Sequence, residues 1–384
     1  MLPQLDYDIL IVGAGPAGLS TALHLARFAP HLAARTLVLE KETLPRPKVC
    51  AGGLTVDAEV LLERLDLDIN EVPSVQAEMV HMQFAGRGLK LRPASRPALR
   101  IIRRDEFDSW LAGKVRQQGI QVREGVRVLN VKPASGFHNI ETDSGNLQVR
   151  VVVGADGSNG ILRACLLPGS HLDTARLLEV LTPAREGSPH LPHSAYFDFA
   201  CVPNRIAGYT WDFPTQLKGR SMRCWGIMDN NLLADGHRPA LVSELEKEME
   251  RSGDILIRTE LKGHPIRWFD PASPFSVPGA LLVGDAAGTD PLFGEGISMA
   301  LGYGYLAAQS ITRAFERGDF RFKNYRKRIL FSSLGQTLTL RYLLAIVAYS
   351  FHWRWFQRLV WQVLNPLVKW FGWLFLVNWA KRLK

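Results

Sequence analysis

The first residues able to do chemistry are three glycines at a fixed spacing. Gly13, Gly15 and Gly18 form G-x-G-x-x-G between the apolar run Tyr7–Val12 and a stretch of helical periodicity reaching about Arg27. The first glycine permits a tight turn, the second lets backbone approach a pyrophosphate, and the third lets helix and strand pack closely. The helix N-terminus adds N–H donors and a partial positive charge. Thr36–Glu40 reads as a second buried strand and ends on an acid 22 positions beyond Gly18. A carboxylate there binds both ribose hydroxyls of an adenosine and disfavours a 2′-phosphate. The pattern is a βαβ dinucleotide site for FAD or NAD rather than NADP.

Two later glycine-rich stretches, Val151–Arg163 (VVVGADGSNGILR) and Leu281–Ala300 (LLVGDAAGTDPLFGEGISMA), follow short apolar runs, and RDEFD opens a helical pattern at Arg104–Gln118. With Glu40 they resemble the flavoprotein superfamily of aromatic hydroxylases, squalene epoxidases and geranylgeranyl reductases, over about residues 5–320. The resemblance implies FAD. It implies that Asp285 binds the ribityl chain, that Arg104 lies near the diphosphate or ribityl region, and that Asp156 and Gly157 shape the approach of flavin and nicotinamide. Gly294 and Gly296 then place backbone N–H groups and a helix N-terminus beside the flavin N1–C2 edge, where a reduced flavin concentrates negative charge. One position departs from the superfamily pattern D-G-x-x-S-x-x-R: Gly160 stands where Ser is usual, while Arg163 matches.

Two segments resemble the geranylgeranyl reductases in particular. Pro45–Leu54 (PRPKVCAGGL) is similar to their Pro-x-x-Lys-x-Cys-Gly-Gly region, with Ala51 replacing a glycine, and Tyr209–Pro214 (YTWDFP) matches their Tyr-x-Trp-x-Phe-Pro pocket motif. On an extended segment Tyr209, Trp211 and Phe213 project to one face and line an apolar slot, or else form plain sheet core. Cys50 either adjusts flavin access, as the family's cysteine is thought to do, or is a buried small hydrophobe. Arg46 and Lys48 neutralise a substrate diphosphate, contact an FAD phosphate, or are solvated loop charges. The implied reaction is reduction of a C=C bond in an isoprenoid chain, with hydride from flavin N5 and NAD(P)H as a transient reductant, since a second G-x-G-x-x-G is lacking. The substrate is a prenyl lipid, prenyl diphosphate or prenylated pigment. A flavin monooxygenase or halogenase, quinone electron transfer and a non-catalytic membrane flavoprotein are the alternatives. A halogenase calls for Trp-x-Trp-x-Ile-Pro, from which YTWDFP differs at two defined positions.

The elements that must position these residues follow from periodicity. Strands are expected at Tyr7–Val12, Thr36–Glu40, Val122–Val131, Val149–Val153 and Ala280–Val283, and helices at Asp57–Leu65, Arg104–Gln118 and Ser298–Glu316. Short alternating stretches with many turn residues between about Cys165 and Pro265 suggest an inserted antiparallel sheet. The fold class is therefore α/β: an FAD-binding Rossmann-like domain in two pieces, 1–165 and 265–320, a substrate domain at 166–264 joined by part of 55–100, and a helical segment at 321–384. Cys50, Cys165, Cys201 and Cys224 have neither CxxC nor zinc-finger spacing, so no metal site is expected and a reducing compartment fits. The sequence MLPQLDYDIL lacks the basic and apolar regions of a secretory signal.

Charge is distributed unevenly. The chain carries a formal +9, yet residues 320–384 hold twelve Lys and Arg and no acid, together with six of the ten tryptophans. Long apolar runs between those cations argue against nucleic acid and for a membrane surface. The uncharged runs in Arg341–Lys384 are 10–12 residues long, short of the ~20 needed to span. Arg354, Arg358, Gln362, Asn365 and Lys369 fall on one stripe of an otherwise apolar helix, with a kink expected at Pro366. An interfacial anchor on a cytoplasmic, peripherally associated protein is the expectation, with a helical cap over the substrate domain or a span through 359–380 as alternatives.

Overall fold

The computed structural model describes residues 5–170, 173–232 and 240–384. Strand Tyr7–Val12 carries the fully buried residues Ile9, Leu10 and Ile11 and lies between the parallel strands Thr36–Leu39 and Gly145–Gly154. Ala280–Leu282 extends the parallel arrangement on one side and Gln121–Arg123 on the other. Such near-continuous apolar strands suit a sheet covered on both faces. Helices Pro16–Phe28 and Ile297–Arg317 pack against each other at one of those faces. Their approach is close because Gly304 has no side chain: a Cβ there would lie 2.5 Å from the Ser20 hydroxyl, which instead donates to the Leu301 carbonyl at 2.8 Å.

The second sheet has seven strands in the order Lys262–Arg267, Thr174–Pro183, Arg220–Asp229, Gly208–Leu217, Ser194–Asp198, Met79–Phe84, Arg87–Leu91. It is antiparallel except where Ser194–Asp198 meets Met79–Phe84. The last two strands come from the region before residue 100. The boundary expected at 264/265 falls inside Lys262–Arg267, which pairs along its length with Thr174–Glu179. Helix Leu241–Arg251 covers the outer face through Leu245 and Met249, leaving the inner face toward the first sheet.

Three expectations need correction. The single strand expected at Val122–Val131 is two, because the chain turns at Gly125, where φ is +71°. Gln121–Arg123 closes the parallel edge, whereas Val128–Ala134 joins a hairpin with Phe137–Thr142. Next, Pro366 does not kink a continuous helix. It sits in the first turn of Asn365–Phe371, where its missing N–H has no helical partner to lose, and the 70° bend comes just before it. Finally, the expected stripe divides: Arg354, Arg358 and Lys369 are exposed, whereas Gln362 donates to the Phe84 carbonyl at 3.0 Å and docks onto the second sheet.

The C-terminal segment is in fact sewn into the molecule. Helix Ser333–Ser350 buries Arg341, whose Nη1 donates to Asp290 at 2.7 Å and Glu295 at 2.5 Å. Trp361 stacks on Phe199 with ring centroids 4.0 Å apart. Trp379 is fully buried over Gly302, where a Cβ would stand 2.7 Å from the indole. The Asp57 carboxylate accepts the N–H groups of Asn378 and Ala380 at 2.9 and 2.7 Å. The helical cap, one of the two alternatives from sequence, thus describes how one face of this segment is used. No single helix among the described residues is long and apolar enough to cross a membrane.

Candidate functional site

The carboxyl ends of the parallel strands open into one cavity of about 1260 Å³, above the ~300–1,000 Å³ usual for small-ligand sites. The three glycines of the first turn do different work there. Gly13, at φ +110°, would put a Cβ 2.3 Å from the Ala155 carbonyl, and Gly18 would put one 2.0 Å from the Gly13 carbonyl. Both are required by packing. A Cβ on Gly15 would meet only the Arg46 guanidinium, at 3.9 Å, so this backbone faces open space. That is the position at which a phosphate can approach a helix N-terminus, which has no acid in its first turn.

Glu40 is oriented before any ligand arrives. Its Oε2 accepts the Ala14 N–H at 2.9 Å and its Oε1 the Glu42 N–H at 3.2 Å, with the side chain nearly buried. Arg46 spans Glu40 (3.5 Å) and Asp108 (3.3 Å), while Arg104 grips the same Asp108 through two bonds of 2.8 and 2.9 Å. The Arg46 contact to Glu40 runs through Nε and is an ion pair rather than a hydrogen bond. Lys48 Nζ lies 2.7 Å from His264 Nε2. Burial depresses the Lys48 pKa, and burial followed by the Lys48 charge lowers His264 to about 4, so the imidazole accepts from the ammonium at neutral pH. Two arginines, a lysine and open backbone N–H groups around the glycine turn form an anion cradle whose donor set fits a diphosphate.

Asp285, in the turn after Ala280–Leu282, lines the same cavity and accepts the Ser158 hydroxyl at 3.3 Å. Asp156 Oδ2 accepts the Leu162 N–H at 2.8 Å at the start of helix Leu162–Leu166, while Oδ1 is buried and unpartnered. Burial pushes its pKa up to about 6. This carboxylate also explains Gly160: a Cβ there would stand 2.0 Å from the Asp156 Cγ, so serine has no room. Arg163 keeps a structural part, bonded to the Ala286 carbonyl and Ser170 at 3.2 and 2.8 Å.

Gly294 and Gly296 border the opposite wall, ahead of helix Ile297–Arg317. A Cβ on Gly294 (φ +65°) would sit 2.9 Å from Met228 Sδ. One on Gly296 would find nothing nearer than Asp285 Oδ1 at 3.9 Å, so the helix N-terminus is open to the cavity beside Asp285. The loop between is held from two sides. Tyr209 donates its hydroxyl to the Phe293 carbonyl, and Arg341 pairs with Asp290, whose carboxylate accepts N–H groups of Leu292 and Phe293. Burial opposes the charge on Glu295, but the Arg341 guanidinium beside it holds its carboxyl below the ordinary range.

Beyond this loop the walls become apolar. Tyr209, Trp211 and Phe213 lie on strand Gly208–Leu217 and line the cavity, with Phe197 bridging Tyr209 and Phe213 at centroid distances of 5.2 and 5.0 Å. They also belong to the buried core, so slot wall and sheet core are one arrangement. Trp211 fits because of Gly226 on the neighbouring strand, where a Cβ would stand 2.0 Å from the indole. Cys50 lines the cavity, its Sγ 3.4 Å from the Gly52 N–H. Behind it lies Glu179, with the Cys50 backbone and the Cys224 thiol beside its carboxyl. Burial pushes Glu179 up to about 7, and its Oε2 is sealed and unpartnered.

Every site residue expected from sequence therefore faces one cavity except Gly18, which packs beneath the turn. Residues outside that expectation are Asp108, Arg341, Asp290, Gly226 and Glu179. Asp108 had a local signal, lying four positions after Arg104. The others meet their partners only through the tertiary fold.

Residues 6–199 match the FAD binding domain family. The chain belongs to that family. Within it, the protein is an FAD-binding oxidoreductase of the geranylgeranyl reductase type. A digeranylgeranylglycerophospholipid reductase of Thermoplasma acidophilum is 28% identical over 82% of this chain and 80% of its own length. A menaquinone reductase of Mycolicibacterium smegmatis is 26% identical over 79% and 76%. The crystal structure of a geranylgeranyl bacteriochlorophyll reductase-like protein from Thermoplasma acidophilum superposes with a TM-score of 0.73 at 25% identity, covering 94% of this chain and 90% of that one. The halogenase PltM, at 15% identity and a TM-score of 0.72, shares the fold. In an FAD-binding chain the glycine turn, Glu40 and Asp285 acquire a common purpose, since all three border the space an extended dinucleotide requires.

Proposed function

We propose that this flavoprotein saturates C=C bonds of a polyprenyl chain carried by a lipid, diphosphate or pigment. The observation that carries the reading is the continuity of one cavity. Its polar end is the anion cradle at Gly15, Arg46 and Arg104, and its apolar end runs past Tyr209, Trp211 and Phe213 to Leu89 and Leu91. A nucleotide and an isoprenoid chain fit end to end in a space of that polarity. The curated relatives named as reductases of digeranylgeranylglycerophospholipid and menaquinone support the same substrate class.

Bound FAD, once reduced by NAD(P)H or another donor, supplies a hydride. The chain's own residues do the rest. Glu40 and the glycine turn fix the adenosine end, Asp285 and the N-terminus of Ile297–Arg317 face the ring end, and the aromatic strand positions an alkene while excluding water. Saturation also needs a proton, and Glu179 holds one at its carboxyl near neutral pH. Cys50 stands between that acid and the cavity.

The deciding experiment is anaerobic turnover of the reduced holoprotein with detergent-dispersed prenyl compounds, read by mass. Products heavier by two hydrogens, with the flavin reoxidised in step, are expected. A flavin that stays reduced with every prenyl compound and reoxidises only with oxygen, or with oxygen and halide, would replace this reading by a monooxygenase or halogenase.

A further inference from the structure

The cavity that begins at the glycine turn ends at the surface of the C-terminal segment. Its last walls are Pro366, Lys369, Trp370 and Trp373 on one side and Leu89 and Leu91 of strand Arg87–Leu91 on the other. Trp370 and Trp373 line the cavity and are nevertheless each 62% exposed. Indoles that stand both in a cavity and in solvent mark its mouth. That mouth lies in a segment whose exposed side is rich in apolar residues. Of the nineteen exposed large hydrophobic residues among the described ones, fourteen lie between Phe331 and Phe375. A concentration of that kind, rimmed by polar groups, marks a contact surface.

Charge identifies what the contact is. The cations Arg354, Arg358 and Lys369 are exposed in the same segment, and no acid follows Asp319. A protein partner offers no reason for charge of one sign among exposed tryptophans, whereas an anionic lipid surface matches both features at once. The face is also preformed. Buried Arg341, Trp361 and Trp379 fix the segment from beneath, so the aromatic side points outward without having to fold on contact.

We propose that this face rests on an anionic bilayer and that the mouth at Trp370 and Trp373 opens into the lipid. An apolar chain then passes from bilayer to cavity without crossing water, while its polar head stays at the level of Lys369. The proposal rests on the polyprenyl reading for the identity of the chain, but its tests do not use turnover.

The holoprotein is mixed with vesicles of phosphatidylcholine containing phosphatidylglycerol, and with vesicles of phosphatidylcholine alone. Cosedimentation is expected with the former and at least tenfold less with the latter, and lipids brominated on their acyl chains should quench tryptophan fluorescence. Arg354→Glu with Arg358→Glu should abolish the preference for anionic vesicles, and Trp353→Ser with Trp355→Ser should weaken binding at least tenfold; in both variants FAD content should stay unchanged. A phospholipid carrying a diazirine on its acyl chain should, on illumination of bound vesicles, label peptides containing Leu89–Leu91 and Pro366–Trp373. Labelling confined to Trp353–Trp355 would mean the face docks while the mouth stays shut, which overturns the portal. Absence of binding to anionic vesicles would overturn the whole proposal and leave a protein partner as the occupant. Normal binding and labelling without reduction of any detergent-dispersed prenyl compound would instead count against the reductase reading alone.

Discussion

The glycine cradle and the C-terminal segment border the same cavity, the segment through Arg341 and the loop Asp290–Gly296, yet they are encoded differently. Around the cradle the backbone itself is the functional part. Gly13 and Gly18 are dictated by contacts of 2.3 and 2.0 Å that any side chain would violate, and Glu40 is aimed by the N–H of Ala14 at the end of the neighbouring strand. Only the Gly18 contact is local; Gly13 meets Ala155 142 positions away and Glu40 meets Ala14 across 26, yet because they converge on one short turn the glycines keep a fixed spacing in the sequence. The C-terminal segment depends on partners far away along the chain. Asp57 caps its last turn from 323 positions off, Arg341 reaches back 51 positions to Asp290, and Trp379 needs a missing Cβ at Gly302. Composition alone shows that the segment is basic and aromatic, and that is enough to suggest a lipid surface without revealing that its other face is structural.

The same contrast decides what was legible elsewhere. The parallel strands read directly because buried strands are uniformly apolar, and the aromatic triad read directly because strand side chains alternate. Val122–Val131 misled because its valines continue across Gly125, and only the positive φ of that glycine shows that the chain turns there. Gly160 looked like a defect in a motif and proves to be space for the Asp156 carboxylate. Gly226 and Glu179 had no signal, since one is defined by a ring on the next strand and the other by burial.

If the segment is a structural support of the loop Asp290–Gly296, the largest effect comes from Arg341. Arg341→Met leaves Asp290 and Glu295 as uncompensated buried charges, and breaking such a group costs about 3–5 kcal/mol. Denaturant unfolding should show that loss, and the purified protein should retain less FAD. Deletion after Ser333 should do the same or worse. Wild-type stability and full FAD content in either variant would show that the segment is only a peripheral anchor.

The wall behind Cys50, on the second sheet, is tested next through burial. Below pH 4.5 Glu179 is protonated in folded and unfolded chains alike. Between 4.5 and about 7 the unfolded chain loses this proton while the folded one keeps it, so stability falls as pH rises and then levels off. The full span of the shift corresponds to about 3 kcal/mol. Glu179→Gln lacks this loss, so its stability relative to wild type should rise across that window and stay constant above it. A difference independent of pH would mean that the acid is ionised and solvated in the fold.

Asp285 gives a smaller effect confined to the ligand. Asp285→Ala removes an acceptor that faces the cavity while leaving Gly296 and the helix N-terminus in place. A hydrogen bond to a charged group contributes about 1.5–3 kcal/mol, so FAD should dissociate roughly ten- to a hundredfold more readily, with the apoprotein as stable as wild type. Equal FAD affinity would mean that the glycine turn and Glu40 hold the nucleotide unaided.

The smallest predicted effect separates the two holds on the shared loop. Tyr209 reaches it from the substrate sheet with a single neutral hydrogen bond to the Phe293 carbonyl, whereas Arg341 reaches it from the C-terminal segment with a charged, doubly paired guanidinium. Tyr209→Phe keeps the ring against Phe197 and loses only the hydroxyl, so its cost should be about 1 kcal/mol and FAD content should be unchanged. Reoxidation of the reduced protein by a prenyl compound is the more sensitive readout, because Gly294 is pinned between Met228 and this hydroxyl, and a looser loop widens the space where an alkene must sit. A slowing of a few-fold, with unchanged reduction by NAD(P)H, is expected. If Tyr209→Phe instead lost more FAD than Arg341→Met, the loop would be held from the substrate sheet, and the assignment of the C-terminal segment as its main support would be reversed.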